Sequence, residues 1–144
     1  MFYGDTIQDT RQLFFNTWKK YQDKQSLSTL ENDILKVMLD HPEYHSFFDN
    51  PETFREHHFY PELGDTNPFL HMGLHIAIRE QIATNRPLGI KECYLKLLKH
   101  YPDSLSVEHA MMEQLAECLW LSQKNNLPPD ETHYLASLND LCRT

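Results

Sequence analysis

The stretch NPFLHMGLHIAIREQIATN, residues 67–85, constrains the fold more than any other part of the chain. Asparagine before proline is a strong helix start, because the asparagine side chain can cap the first turn and proline suits the first helical position. The following residues are apolar around most of the helix circumference, which is typical of a helix in the middle of a bundle. The pattern predicts a buried central helix near 67–84 that ends before Arg86-Pro87.

Helix signals also punctuate the rest of the chain. Asp5 with Gln8 and Ser28 with Glu31 have the spacing of capping boxes, and Pro51 follows Asn50 as Pro68 follows Asn67. Further helices are predicted at about 89–100, 105–124 and 131–142. The chain has only four glycines and no sustained alternation of apolar and polar residues, which argues against a sheet. We therefore predict an all-α fold, a single-domain bundle of five or six helices over residues 1–144.

Charge and cysteine content exclude several classes of protein. Thirteen Lys and Arg against 21 Asp and Glu give a net charge of −8, which opposes phosphate backbones and predicts no nucleic-acid partner. We find neither a signal peptide nor an apolar run long enough to span a bilayer, so no membrane partner is expected. Three scattered cysteines without a C-x-x-C spacing indicate no disulfide framework and favour free thiols in a reducing compartment. The expected location is the cytoplasm.

Two histidines interrupt the apolar character of the central helix. His71 and His75 are four residues apart and share one stripe with Ile78 and Ile82, since a helix turns about 100° per residue. Gly73 removes a side chain from the same helix, which allows a close neighbour. Burying two imidazoles without partners is costly, so this pair predicts either ligation of a metal or a hydrogen-bonded network.

Other helices offer side chains that suit a metal site. In SVEHAMMEQLAECLW, His109 and Glu113 are four apart, and Glu108 falls in the apolar arc of the same helix. Imidazole and carboxylate together suit a divalent transition metal such as Zn, Fe, Mn or Ni. Helix bundles build such sites from facing helices. The predicted metal ligands are His71, His75, His109 and Glu113, with Glu31 and His45 as weaker candidates.

Two known metal motifs are missing. Met72 stands where the H-E-x-x-H motif of zinc proteases has its glutamate, and the paired Glu-x-x-His motifs of di-iron bundles are absent. A mononuclear site is therefore favoured, and the sequence leaves open whether the protein is an enzyme. Arg79, at the edge of the His71 stripe, is a candidate ligand-binding residue for an anion, or a salt-bridge partner.

Three functional hypotheses remain. The leading hypothesis is a metal-binding helical protein. A metal-dependent enzyme is one version of this hypothesis. The second is a non-enzymatic scaffold in which buried His and Glu only fix helix register, with Glu31 as a capping residue and His41 at a helix C-terminus. The third is a binder of an unknown small molecule or protein, with a cleft beside Arg79 lined by Phe69, Tyr60 and Trp120.

The motifs HPEYH, NPFLHMGLHIAIREQ and EHAMMEQLAECLW resemble a family of small bacterial proteins, domain of unknown function 1841. The resemblance covers nearly the whole chain and implies a bacterial cytosolic protein with no assigned activity. The residues that it makes distinctive overlap the candidate site: His41, Glu43, His45, His71, His75, Arg79, Glu80, His109 and Glu113.

Overall fold

A computed structural model describes residues 7–54, 57–59 and 67–143, with side chains from residue 11 onward. The described residues are helical and contain no strand, which confirms the all-α prediction. Asp5 and Tyr60, named above as a cap and as a cleft residue, lie outside these ranges. None of the described helices has both the length and the apolar character that crossing a bilayer requires.

Eight α-helices and one 3-10 turn are found in the described ranges. In chain order they are α1 Ile7–Gln22, α2 Thr29–Leu39, the 3-10 turn Pro42–Tyr44, α3 His45–Asp49, α4 Pro51–Phe54, α5 Pro68–Thr84, α6 Ile90–Leu97, α7 Ser104–Asn125 and α8 Glu131–Leu141. The predicted count of five or six is therefore too low. Six long helices match the predicted segments, and the additional two are the short α3 and α4, whose residues follow Pro42 and Asn50.

The helix boundaries follow from the capping residues. Ser28 and Glu31 form a complete capping box at the start of α2. The Asn67 side chain accepts hydrogen bonds from the backbone N–H groups of Phe69 and Leu70 at 3.0 and 3.2 Å, which caps α5. At the start of α6, Gly89 has φ +101°, a left-handed conformation that suits glycine.

The chain forms two compact units, Met1–Ile76 and Ala77–Thr144, so that the first half of α5 belongs to one unit and its second half to the other. The prediction of one domain over residues 1–144 stays a prediction. In the first unit α1 packs against α2 and α3. Its core is rich in aromatic side chains and consists of Phe14, Phe15, Trp18, Ile34, Leu35, Val37, Met38, Phe48, Phe69, Met72 and Ile76.

The second unit is built by the packing of α8 against α6 and α7. Tyr134 of α8 is buried, and its hydroxyl donates to the Gln81 side chain of α5 at 2.8 Å. The fully buried apolar side chains of the second unit include Ile78, Ile90, Leu97, Met111 and Leu138.

The central helix is buried in its middle, as its pattern predicts, whereas its last turns are intermediate or exposed. Residues 72–76 of α5 are buried without interruption, which covers every direction around the helix axis. Gly73 lies within this run. His75 at its C-terminal end is fully buried, which raises the question of what an imidazole does there.

Candidate metal centre

The end of α2 is shaped by Pro42. Proline has no N–H group, so the carbonyl of Met38 cannot receive its usual helical hydrogen bond from residue 42. His45 Nε2 takes that role and donates to Met38 O at 2.8 Å. His41 Nδ1 likewise donates to Val37 O at 2.8 Å. The two histidines of HPEYH therefore both satisfy carbonyls at the C-terminus of α2, as the scaffold hypothesis predicted for His41.

The hydrogen bond to Val37 fixes the tautomer of His41. A carbonyl oxygen only accepts, so Nδ1 must carry the proton. Burial lowers the pKa of His41, and the nearby imidazole of His75 lowers it further, against the opposing effects of the Val37 carbonyl, Glu43 and Asp40. The ring is therefore neutral near pH 7 and presents an Nε2 lone pair. A backbone carbonyl on the remote nitrogen is a common way to orient a metal-binding histidine.

Two further imidazoles surround this lone pair. His71 Nε2 lies 3.0 Å from His41 Nε2. The ring centroids of His41 and His75 are 5.0 Å apart, and those of His71 and His75, one turn apart on α5, are 6.2 Å apart. One ring nitrogen from each of the three histidines lies within 4.8 Å of the other two. The first unit thus brings three imidazoles together from α5 and the end of α2.

The cluster lies deep in the fold. His41 and His75 are 1% and 0% exposed, whereas His71 is half-buried. Tyr44 stacks on His41 with an interplanar angle of 7° and meets the edge of His71. Burial raises the pKa of the Tyr44 phenol, and the charge of Glu43 adds to the rise, so the hydroxyl keeps its proton. His71 is the member of the cluster nearest to solvent.

This arrangement can bind a transition metal ion. Zinc binds imidazole nitrogen at about 2.0–2.1 Å, and tetrahedral geometry then separates two such nitrogens by roughly 3.3 Å. The 3.0 Å between His41 Nε2 and His71 Nε2 is close to that value, and ring nitrogens of all three histidines lie within 4.8 Å of one another. Neutral imidazole is the form of histidine that binds metal, and burial favours that form for His41.

The predicted ligands are distributed over both units of the chain. His71 and His75 are together, as predicted, and their partner in the first unit is His41. His109 and Glu113 lie on α7 in the second unit, where His109 is half-buried and Glu113 is exposed. Glu113 is therefore not on a buried face of α7, and Trp120, seven residues further along the same stripe of the helix, is 53% exposed. The buried glutamate of α7 is Glu108.

The weaker candidates have other partners. Glu31 accepts from Ser28 N at 2.9 Å and from Lys20 Nζ at 2.8 Å, so the capping alternative for Glu31 is confirmed. His45 has its Nε2 on Met38 O, and its ring lies 4.5 Å from that of Trp18. Glu31 therefore caps the N-terminus of α2, and His45 binds a carbonyl at its C-terminus.

The small-molecule hypothesis gains no support from the residues that suggested it. Arg79 Nε donates to Glu108 Oε1 at 3.1 Å, a largely buried ion pair within the second unit. Phe69 packs in the aromatic core of the first unit. Lys124 of α7 lies over the Trp120 ring. The salt-bridge alternative for Arg79 is the one that the structure shows.

His41 is the residue that the candidate ligand set omitted. The apolar stripe of α2 includes Val37 and Met38 and would reach His41 if the helix continued, but Pro42 ends the helix before this residue. The signal lay in HPEYH, where a histidine next to a helix-breaking proline stands close to a second histidine. In the sequence this motif indicates a helix end, and the role of His41 in the cluster depends on its contact with His71, 30 residues away in sequence.

Comparison with known proteins gives one family and no assigned activity. The family model described as "Domain of unknown function (DUF1841)" matches residues 6–140. No curated protein and no solved structure matches the chain. The histidine cluster is therefore the structural feature that points to a function.

Proposed function

The chain belongs to the DUF1841 family, and we propose that it is a metal-binding protein that holds one divalent transition metal ion on His41, His71 and His75. The observation that carries the proposal is the convergence of three imidazoles, two of them fully buried, with ring nitrogens within 4.8 Å. Burying neutral imidazoles costs free energy unless they gain partners, and a metal ion is a partner that all three can share.

The donor set favours particular metals. Three neutral nitrogens without a carboxylate suit zinc, nickel or iron, whereas manganese prefers oxygen ligands. Zinc is our first choice among them, because it accepts a tetrahedral nitrogen set without redox chemistry. The carbonyl of Val37 would hold the His41 ring in place as its outer partner.

His109 and Glu113 stay in the proposal as predictions from the sequence. Three protein ligands leave a coordination position for water or substrate, as in catalytic zinc sites, whereas four close the ion off, as in structural sites. A loss of metal from His109→Ala would support a closed structural site. Retention of metal by both His109→Ala and Glu113→Ala would support an open site and a search for hydrolytic activity.

A structural network of histidines is the second candidate. The 3.0 Å distance between His41 Nε2 and His71 Nε2 is also that of an N–H···N hydrogen bond, with His71 as the donor. In that case the cluster fixes the end of α2 against α5 without any ion, and the protein is a scaffold. Metal content separates the two candidates.

The test is elemental analysis of the full chain, purified without an affinity tag and after dialysis. We expect about one equivalent of zinc or another transition metal per chain, and none in His41→Ala, His71→Ala or His75→Ala. A chelator should lower the melting temperature of the wild type and leave that of His71→Ala unchanged. Metal-free wild type that also fails to take up added zinc, nickel or iron would overturn the proposal in favour of the scaffold.

Two control variants sharpen the result. His100→Ala changes an exposed histidine of the second unit and should alter neither metal content nor stability. His45→Ala removes the second histidine of HPEYH and its hydrogen bond to Met38. It should destabilise the fold and still leave a full equivalent of metal, which separates loss of a ligand from loss of a structural contact.

The location of the protein belongs to the same proposal. We place it in the cytoplasm, since Cys93, Cys118 and Cys142 are free thiols and a reducing compartment keeps them so. Fractionation of the source cells checks this placement, and recovery from a secreted or periplasmic fraction would contradict it.

A further inference from the structure

Two cysteines of the second unit lie on neighbouring helices. Cys93 of α6 is buried, and its Sγ donates to the Asn139 side chain of α8 at 3.4 Å. The helices α6 and α8 pack against each other. Asn139 therefore marks the face of α8 that meets Cys93.

Cys142 lies on the same face of α8 as Asn139. It is the C-cap residue, with helical backbone angles of φ −77° and ψ −10°, and its N–H donates to Asn139 O at 3.0 Å. Residues three apart on a helix are neighbours on its surface, with Cβ atoms about 5–6 Å apart. The α8 helix thus directs Cys142 towards the Cys93 side of the packing.

The two thiols differ in access. Cys142 is half-buried, whereas Cys93 is 5% exposed. Burial raises the pKa of Cys93; Lys96 opposes this rise, and the neighbouring Cys142 adds to it. Cys142 is consequently the thiol that a reagent reaches first, and Cys93 is placed to react second.

We propose that Cys93 and Cys142 form a reversible disulfide when the protein meets a small disulfide oxidant such as oxidised glutathione. The Cys142 thiolate attacks one sulfur of the oxidant and displaces a glutathione thiolate, which leaves a mixed disulfide. Cys93 then gives its proton to water, and its sulfur displaces the second glutathione. Two protein thiols are oxidised, and one glutathione disulfide is reduced to two glutathione thiols.

The bond would fasten α8 to α6. It cross-links residues 93 and 142, and closing such a loop restricts the unfolded chain more than the folded one. The oxidised protein should therefore melt at a higher temperature than the reduced protein, and dithiothreitol should reverse the change. This device depends only on the second unit and is independent of the histidine cluster.

The third cysteine provides a matched control. Cys118 of α7 is buried, and its Sγ lies 3.9 Å from the carbonyl oxygen of Asp130. It shares burial and free-thiol status with Cys93 but has a different neighbour. Cys118→Ser should leave the oxidation reaction unchanged.

The experiment treats the folded full chain with oxidised glutathione and measures intact mass and cross-linked peptides. We expect the wild type and Cys118→Ser to lose the mass of two hydrogen atoms and to yield a peptide pair joined at 93 and 142. In Cys93→Ser the reaction should instead stop at one added glutathione on Cys142. Cys93→Ala should give the same product, and it is included because serine at this buried position could affect folding. Cys142→Ser should stay unmodified.

Other products would overturn the inference. A disulfide that includes Cys118 would show a different pairing, and a wild type that stops at the mixed disulfide would show that Cys93 cannot reach Cys142. An oxidised form that melts at or below the temperature of the reduced form would remove the proposed fastening of α8.

Discussion

The two ring nitrogens of His41 have separate tasks. Nδ1 donates to the carbonyl of Val37, and this contact both completes the end of α2 and fixes the tautomer. Nε2 faces His71 and, in our proposal, a metal ion. A single residue therefore links the end of a helix to the orientation of a ligand, whereas His71 lies within α5 and contributes its Nε2 atom to the cluster.

This difference predicts unequal effects of two substitutions in metal-free protein. His41→Ala removes the side-chain donor to the Val37 carbonyl, which also accepts from Asp40 N–H at 3.1 Å, and losing such a hydrogen bond typically costs about 0.5–1.5 kcal/mol. It also leaves a cavity at a fully buried position, which adds to the cost. His71→Ala changes a half-buried side chain and should cost less. Urea denaturation in the presence of a chelator measures both. Equal losses would contradict a separate capping role for His41.

The limits of prediction are clearest at single residues. His71 and His75 were recognised because helical periodicity puts them in an apolar stripe. His41 is absent from the predicted ligand set for two reasons. Helical periodicity stops at Pro42, and the residue that His41 contacts, His71, is far away in sequence. Glu113 is predicted on an inner face because it shares a stripe with Ala116 and Trp120 on the helical wheel of α7. The buried residues of this helix, which include Glu108 and Met112, lie on a different arc.

At the scale of elements, capping signals predicted the long helices well. Three predicted helix starts have a side chain that accepts hydrogen bonds from the first backbone N–H groups of the helix. These side chains are Ser28, Asn67 and, after Pro128-Pro129, Asp130. The short helices α3 and α4 were missed in the helix count, since a segment of four or five residues has too little periodicity to be distinguished from a turn. Tertiary packing decides such segments.

The capping box of α2 predicts how stability depends on pH. Hydrogen bonding from Lys20 and Ser28 lowers the pKa of Glu31 below its ordinary value of 4.5, against the opposing effect of burial. A lowered carboxyl pKa contributes stability that is present above the unfolded pKa and is lost as pH falls through the folded one. Wild type should lose this contribution below about pH 4.5.

Substitution of Glu31 isolates this effect. Glu31→Gln keeps an oxygen that can accept from Ser28 but has no ionisable group, so its stability should fall less steeply with acidification. Glu31→Ala should cost about 0.5–2 kcal/mol at neutral pH, as for other helix N-terminal caps. Chemical denaturation between pH 3 and pH 7 gives both, with the exposed Glu117→Gln as control. A Glu31→Gln profile parallel to wild type would refute the assignment.

The buried run of α5 predicts the cost of filling Gly73. Leucine at this position adds a large side chain to a closely packed helix, and overpacking costs about 1–3 kcal/mol. The gain in helix propensity from replacing glycine is below about 1 kcal/mol and does not offset the loss. Gly73→Leu should therefore lower the melting temperature. Ala83→Leu, at an exposed position of the same helix, should not. An unchanged melting temperature for Gly73→Leu would show that the close packing inferred here is absent.

At the scale of the whole molecule, charge limits the partners. The chain carries 21 acidic against 13 basic residues, and Arg79, Arg11 and Lys20 of the basic set already have protein contacts. Binding to nucleic acid draws most of its affinity from Lys and Arg that neutralise phosphates and release counterions. A net charge of −8 works against that process at every approach.

We therefore expect no binding to duplex DNA or RNA, whether or not a divalent ion occupies the histidine cluster. One ion adds two positive charges and leaves the net charge at about −6, which still repels a phosphate backbone. Fluorescence anisotropy with labelled duplexes at about 50 mM salt, where phosphate contacts are strong, is the sensitive condition. Metal-free and zinc-loaded protein should both leave the anisotropy unchanged. Tight binding that weakens steeply with added salt would reveal a local basic surface that overrides the net charge, and the prediction would then be wrong.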